Sequence, residues 1–481
     1  MDVVFISPPE SHSIENSLPE QIQQGAGVYP KLGLLYVAAY YENASGNRSD
    51  FIDAPALGLD YAQFEEEIRK RPIDVAAISV LTFNLIDSCR AVELVKKHHP
   101  KAKVVFGGHH ANYYPGETAK LPHVDYVLTG EGEISFTSLI EAIDRGERRE
   151  ELSAIPGLSW KDPFQCNVSE GRGDAGNLDD LPFPARHLIN LRNYNNLIGA
   201  SDVTATIQSS RGCPFACTFC DIRRTEFRWR DPGNVVDEVE ALADQGVDDF
   251  FFVDDTITIR KKRVHEICEK IVRRGIKIQF KISSRVDCIT EDLLRDLKKA
   301  GCYRIHYGVE SASQRSLDYL EKGVNLDLVR RVFKQTHNAG IGTYAYMMIG
   351  IPGETREEME QTFDFAAELN PDYCQFSICT PYPKTELYDR MLRDGIVPHD
   401  YWQEFAGKPH EGFKVKFWNP DFEEDELREI QQHGLRKFYG RPKFVLRELT
   451  RVRTATDFIR KVSMGANLLL RRKKKTTSAA T

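Results

Sequence analysis

The stretch "SSRGCPFACTFC", residues 209–220, sets Cys213, Cys217 and Cys220 within eight positions around an Arg-Gly-Cys-Pro turn, with Phe219 directly before the third cysteine. Thiolates crowded in this way point to metal or cluster ligation. A structural zinc site takes four closed ligands, usually in two pairs, and this loop supplies three with no fourth nearby. An iron–sulfur cluster is also commonly held by four thiolates, so three imply an iron with one coordination position open. An open position is where a substrate or cofactor can bind.

Around this loop the pattern is an alternation of short β-rich runs with amphipathic stretches. Strands are expected at "TATIQ" just before the cysteines and then at "DFFFVDD", "IQFKISSR", "RIHYGVES", "TYAYMMIG" and "YCQFSICT". Helical patterns such as "NVVDEVEALADQG" and "TREEMEQTFDFAAEL" lie between them. Six such units in roughly 190 residues fall short of the ~250 of a closed eight-fold barrel. A partial (βα)6 TIM-like barrel over 204–400 is therefore predicted, with its chemistry at the carboxyl ends of the strands. Tyr307, Tyr344, Tyr346 and Met347 are candidates for its interior.

A second alternation fills residues 1–148. The runs "DVVFISPP", "DVAAISVLT", "AKVVFGGHHAN" and "VDYVLTGEGEIS" alternate with "LGLLYVAAYYENA" and "AVELVKKHH", which argues for a doubly wound parallel sheet with helices on both faces. Ligands of such sheets bind beyond the carboxyl ends of the strands. Those ends carry Ser79 and Thr82, then Gly107, Gly108 and His109, then Gly130 and Glu131, and the glycines allow close backbone approach to a bulky ligand. Residues 149–203 read as a linker: "IPGLSW" suggests a short hairpin, "SEGRGDAGN" a polar loop, and "LDDLPFPARHL" a proline-punctuated extended segment. Residues 401–481 are expected to be a helical extension with a basic tail.

Composition limits the classes. The chain of 481 residues has 41% hydrophobic content, enough for two or three domains with cores, and a formal charge of −7 that does not suggest a dedicated nucleic-acid binder. Ten cysteines are too sparse for a disulfide scaffold, and "MDVVFISPPE" reads as a strand entering a loop, not a signal peptide. A reducing cytoplasm is the expected compartment. No apolar run approaches the roughly 20 residues of a spanning helix.

Cys-x-x-x-Cys-x-x-Cys with an aromatic before the last cysteine, after the first strand of a barrel-like alternation, resembles the signature of radical S-adenosylmethionine enzymes. The resemblance implies that Cys213, Cys217 and Cys220 hold a four-iron, four-sulfur cluster whose fourth iron chelates S-adenosylmethionine, and that reductive cleavage yields a 5′-deoxyadenosyl radical. It places Asp254 and Asp255 near the cofactor's ammonium, and Ser283 and Arg285 near its carboxylate. Glu310 and Ser311 fall in the fourth-strand segment, and Gly350 and Gly353 of "GIPGET" in the glycine-rich segment near the adenine. With the preceding sheet, "GGHH" and "TGEGE", the chain is similar to the cobalamin-binding subgroup. That implies cobalamin as a further cofactor, contacted from Ser79, Thr82, Gly107, Gly108, Gly130 and Glu131. No histidine has an aspartate two residues before it, as in Asp-x-His-x-x-Gly cobalamin domains, so His109 and His110 are not assigned as cobalt ligands.

The implied reaction is methylation of an unactivated carbon of a small-molecule or lipid-like substrate, with an external electron donor such as flavodoxin or ferredoxin. One alternative keeps the cofactors and closes or rearranges a ring, as in the anaerobic magnesium-protoporphyrin monomethyl ester cyclase. Another is an RNA-binding modifier of the methylthiotransferase type, disfavoured because Cys89 and Cys166 stand alone before the barrel. The C-terminal stretch "KFYGRPKFVLRELTRVRTATDFIRKVSMGANLLLRRKKK" sets Val445, Leu449 and Val452 at helical spacing among Lys and Arg. Such a stretch suits peripheral contact with the inner face of a membrane. Cys374 and Cys379, on the sixth strand, are left unassigned.

Overall fold

A computed structural model describes residues 1–14, 27–161, 166–194, 201 and 203–450. It contains two main sheets. The first has the order β2-β1-β3-β4-β5-β6-β7, built from β1 (Val3–Ser7), β2 (Ser49–Asp53), β3 (Val75–Ser79), β4 (Lys103–Gly107), β5 (Tyr126–Leu128), β6 (Leu158–Lys161) and β7 (Cys166–Val168). β1 to β5 are parallel. All five residues of β1 are buried, as expected of a parallel strand covered on both faces. Strand order reverses between β1 and β3, which opens a crevice at their carboxyl ends, Ser7 and Ser79.

Two features of this sheet depart from the sequence reading. β2, "SDFID", was not expected; it is an edge strand with two acids and little apolar character. In addition, β6 pairs antiparallel with β5 and β7 with β6, so part of the stretch expected as a linker completes the sheet. The short hairpin expected at "IPGLSW" is present as β6 and β7, strands of four and three residues; what the sequence reading did not show is that it joins the sheet, where Leu158 and Trp160 are buried in the core.

The second sheet has the order β15-β14-β13-β12-β11-β8, all parallel. Its strands are β8 (Thr204–Ile207), β11 (Asp249–Phe252), β12 (Gln279–Ser284), β13 (Cys302–Glu310), β14 (Gly342–Ile349) and β15 (Tyr373–Ile378). Side chains alternate across a strand. Phe250, Phe252, Phe280, Ile282, Ile305, Ala345 and Phe376 pack against the helices, so Phe251, Lys281, Ser283, His306, Tyr344 and Tyr346 fall on the opposite, inner face. The same parity corrects two expected interior residues. Tyr307 and Met347 lie in the helix-side core, and the Tyr307 hydroxyl is 2.9 Å from Thr336 Oγ1 on the helix Leu326–Asn338.

The open edge of the half-barrel is covered by the helix Glu424–Tyr439. Tyr439 Oη accepts from the Cys374 N–H (3.1 Å) and donates to its carbonyl (2.6 Å), while Gln431 Nε2 donates to the Phe376 carbonyl (2.7 Å). These side chains satisfy edge groups that would otherwise invite pairing with another chain. The helix Tyr401–Gly407 joins the two halves: Trp402, fully buried, donates from Nε1 to the Pro381 carbonyl (3.0 Å) and packs on Phe83 of the N-terminal half. The helix Pro442–Thr450 begins the basic amphipathic stretch and leaves Val445 exposed. The rest of that stretch, with Val452, lies outside the described residues.

Candidate active site

Directly after β8 the chain is pinned by a buried carboxylate. Asp254, after β11, accepts from the Ser209 N–H (3.1 Å), from Ser209 Oγ (2.8 Å) and from Ser210 Oγ. Arg263 donates to the Ser209 carbonyl at 2.5 Å. A two-stranded antiparallel pair, β9 (Ser210–Arg211) and β10 (Arg228–Trp229), then closes the neck of the cysteine loop. Gly212 has φ +86°, and a Cβ there would stand 2.0 Å from the Glu226 carbonyl oxygen, so only glycine fits. Cys213 donates its N–H to Thr225 Oγ1 (2.8 Å), and its carbonyl accepts from the Thr225 N–H (3.0 Å).

Cys217 is buried and Cys213 and Cys220 half-buried. Burial raises the thiol of Cys213 and pushes that of Cys220 up to about 12, so thiolates here call for a bound cation. Among the described residues no three His, Cys, Asp or Glu side chains converge on a single-ion site. The three thiols on one closed loop thus fit the group their spacing implies.

The other expected cofactor residues separate by what they already bind. Asp254 is committed to Ser209 and Ser210. Asp255 faces the loop, accepting from the Gly212 N–H at 3.2 Å, and burial followed by the neighbouring Asp254 charge pushes its pKa up to about 6. Ser283 is half-buried on the inner face. Arg285 pairs with both oxygens of Asp287 (3.0 and 2.8 Å), donates to the Lys322 carbonyl (2.6 Å) and approaches Cys217 Sγ (3.3 Å), with its guanidinium 3.9 Å from the Phe215 ring centroid. Glu310, at φ +72°, forms a buried pair with Lys322 (2.8 Å). Ser311 Oγ donates to Glu354 at 3.3 Å. Gly350 and Gly353 both have positive φ, and a Cβ on Gly350 would meet Leu427 at 2.9 Å.

On the N-terminal side, the close approach of the glycines is to the chain itself. A Cβ on Gly108 would meet Ser79 Oγ at 2.7 Å, and one on Gly130 the Gly173 carbonyl oxygen at 2.3 Å. Gly107 is half-buried at the end of β4. Thr82 Oγ1 lies 3.0 Å from His110 Nδ1, and burial holds the His110 pKa down at about 4. His109 instead reaches Asp221, the residue after Cys220, at 3.4 Å, and Tyr113 donates to the same carboxylate.

These contacts bring the carboxyl edge of the first sheet against the cysteine loop. Glu131 accepts from Arg211 (2.9 Å), Arg228 (2.5 Å) and the Ala175 N–H (2.8 Å), and Glu133 accepts from Arg211 (2.7 Å). Burial works against the Glu131 carboxylate, but the arginines and the amide outweigh it and keep its pKa below the usual value. Arg211 stands two residues before the first cysteine, so both halves of the molecule meet at the site.

Two family models match this division: "B12 binding domain" over residues 23–140 and "Radical SAM superfamily" over residues 207–366. An uncharacterised methyltransferase from Pyrococcus horikoshii is 30% identical over 456 residues, covering 93% of this chain and 95% of the relative. The chain belongs to the cobalamin-binding radical S-adenosylmethionine enzymes. An anaerobic magnesium-protoporphyrin IX monomethyl ester cyclase from Rubrivivax gelatinosus is 28% identical over 428 residues, covering 87% of this chain and 75% of the relative. The radical S-adenosylmethionine methyltransferase TsrM from Kitasatospora setae, solved with cobalamin and a 4Fe-4S cluster, shares the fold at TM-score 0.66 and 20% identity, over 82% of this chain and 79% of that one.

As a cobalamin-binding radical S-adenosylmethionine enzyme, the protein uses a 4Fe-4S cluster, S-adenosylmethionine and cobalamin. Among the described residues no helix is long and apolar enough to cross a membrane. Reading the sequence alone passed over Arg211, Glu133, Arg228 and Asp221. Arg211 stood inside the opening motif, but its partners lie 78 and 80 residues away, beyond any local pattern.

The "GIPGET" segment carries a pH signature. Glu354 accepts from the Ile351 N–H (3.2 Å) and Ser311 Oγ, and burial pushes its pKa up to about 7. A carboxyl raised in the folded state is favoured protonated, so its contribution is full below the unfolded value of 4.5 and is lost as pH rises through about 7. Urea unfolding of the wild type should lose about 3 kcal/mol from this group between the two pH values. In Glu354→Gln that component of the slope should vanish.

Proposed function

We propose that the protein methylates an unactivated carbon of a small-molecule or lipid-like substrate held between the cysteine loop and the carboxyl edge of the N-terminal sheet. The observation that supports this is the Arg211–Glu131/Glu133 contact, which sets the ends of the cobalamin-type sheet against the loop that takes the cluster. When bound, the cluster and S-adenosylmethionine supply hydrogen abstraction from carbon and cobalamin supplies the methyl group. The chain positions these groups and excludes competing reactions.

In this reading Cys213, Cys217 and Cys220 ligate the cluster, and Asp255, with its raised pKa, accepts from the ammonium of S-adenosylmethionine. Ser283, Glu310 and Ser311 line the same strand ends, and Gly350 and Gly353 shape the segment beside the adenine. Arg285, engaged by Asp287 and stacked on Phe215, braces the loop beneath Cys217, and Asp254 braces its entry. Ser79, Thr82, Gly107, Gly108, Gly130 and Glu131 form the cobalamin side. The functional units are 1–148 extended by β6 and β7, 204–400 and 401–481, joined through the rest of 149–203. The enzyme works in the cytoplasm with a flavodoxin- or ferredoxin-type donor, and its basic tail rests on the inner face of the membrane.

The test is anaerobic reconstitution with iron, sulfide and hydroxocobalamin, followed by incubation of candidate substrates with S-adenosylmethionine and strong reductant. Product heavier by one CH2 and 5′-deoxyadenosine together support the reading. Product lighter by hydrogen with no added carbon would replace it with ring closure, as in the cyclase.

A further inference from the structure

The inner face of the half-barrel is polar where a closed barrel would be filled with branched apolar side chains. Lys281, at the middle of β12, is fully buried. Among the described residues its ammonium has one hydrogen-bond partner, the phenol of Tyr29 at 3.2 Å, and lies 4.9 Å from the Phe251 ring centroid. The nearby acid, Asp249, is already bonded by Thr204 Oγ1 at 2.8 Å, and the nearby Arg304 adds positive charge. Burial, ahead of these charges, brings the Lys281 pKa down to about 8, so the group remains largely protonated at neutral pH. A buried cation whose hydrogen bond among the described residues goes to a neutral oxygen, with Asp249 as a nearby counter-charge, is costly for a fold to keep.

His306, on the adjacent strand, packs against the same Phe251 ring, with centroids 5.6 Å apart, and stacks on Tyr344 at 4.8 Å. Its Nδ1 lies 3.0 Å from Tyr346 Oη, while its buried Nε2 has no partner among the described residues. Burial keeps the ring neutral. In the tautomer where the Tyr346 hydroxyl donates to Nδ1, the ring proton sits on Nε2 and makes it a donor without an acceptor among the described residues.

We infer that Lys281 and His306 form a subsite for an anionic oxygen group of the substrate, a carboxylate or a phosphoryl group, and that Tyr29 fills it when substrate is absent. The inference rests on the proposed function, with the reacting end of the substrate between the cysteine loop and the N-terminal sheet and its acid group reaching down into the half-barrel. The ammonium and the Nε2–H, both beside the Phe251 ring, would together make a donor pair for such a group. Tyr29 is half-buried and belongs to no helix or strand, so rotation of one side chain uncovers the lysine. Lys281 lies three residues below the carboxyl end of β12, ~10 Å at ~3.3 Å per residue. An acid-bearing substrate anchored there extends its far carbons toward the cysteine loop.

Labelling by pyridoxal 5′-phosphate and borohydride, an anionic aldehyde that reports a reachable lysine beside an anion site, tests this on the reconstituted full chain. Peptide mass spectrometry should find Lys281 modified, and inorganic phosphate or acetate should slow that labelling by about tenfold at ten times its half-protecting concentration. The stronger protector identifies the class. Tyr29→Phe, which removes the hydroxyl, should raise the labelling rate, and Lys281→Met should abolish the peptide signal. Absence of label at Lys281 in wild type and Tyr29→Phe, or labelling that neither anion slows, overturns the subsite. Labelling needs no turnover, so a failure of methylation would leave its outcome readable.

Discussion

Replacing Cys217 by alanine is expected to reduce S-adenosylmethionine cleavage by more than about a hundredfold, the upper range that loss of even an outer partner of a metal ligand costs. In the proposed assignment the cysteine itself is an inner ligand. With it gone, one iron would lose its protein anchor on a loop whose remaining thiols burial keeps protonated. Iron content and the broad visible absorption of reconstituted protein should fall together with 5′-deoxyadenosine formation. Cys213→Ala and Cys220→Ala should behave alike. Cys89→Ala, a cysteine far along the chain in the helix Leu85–His98, should leave both readouts unchanged. Retention of cluster and cleavage in all three loop variants would remove the basis of the assignment.

Arg211→Ala is expected to destabilise the protein by about 3 kcal/mol, at the lower end of the ~3–5 for breaking a buried pair. The loss reflects what remains behind: Glu133, 4% exposed, loses its arginine, and Glu131, 22% exposed, keeps Arg228 and the Ala175 N–H. Arg211 also lies over the Tyr36 ring, 5.4 Å from its centroid. Lysine should rescue little, because one ammonium cannot reproduce the fork that reaches both carboxylates. Adding Glu131→Gln and Glu133→Gln to Arg211→Ala should recover part of the stability, since no uncompensated charge is then buried. Urea unfolding reads the stability. The ratio of methylated product to 5′-deoxyadenosine reads the function, and it should fall, because the residue holds the two edges in register. An unchanged ratio with lowered stability would assign Arg211 to folding alone.

Much of the architecture was open to a reader of the sequence. Parallel strands buried on both faces are runs of apolar residues, and the six runs from "TATIQ" to "YCQFSICT" all became neighbours in one parallel sheet. The same logic missed "SDFID" and the joining of the expected "IPGLSW" hairpin, β6–β7, to the sheet. There, edge position or shortness leaves no period to detect, and pairing with an existing sheet supplies the stabilisation. Parity was the second limit. Tyr307 and Tyr344 look alike as letters, but one bonds Thr336 among the helices and the other stacks on His306 within the half-barrel. A strand's two faces can be told apart only once something covers one of them.

The cluster loop is the part that the sequence determined by itself. Three thiols at short spacing, a glycine that the neck requires and a preceding strand are local facts, and ligation by one loop is local chemistry. What the tertiary structure decided is which charged groups are already spent. Asp254 and Arg285 read as cofactor contacts in the chain, yet folding commits the first to Ser209 and Ser210 and the second to Asp287 and Cys217. Conversely, Arg211 and Lys281 carried no local signal and gain meaning from long-range placement. A charge acts through what lies within a few ångströms of it, and for buried groups those neighbours come from distant parts of the chain.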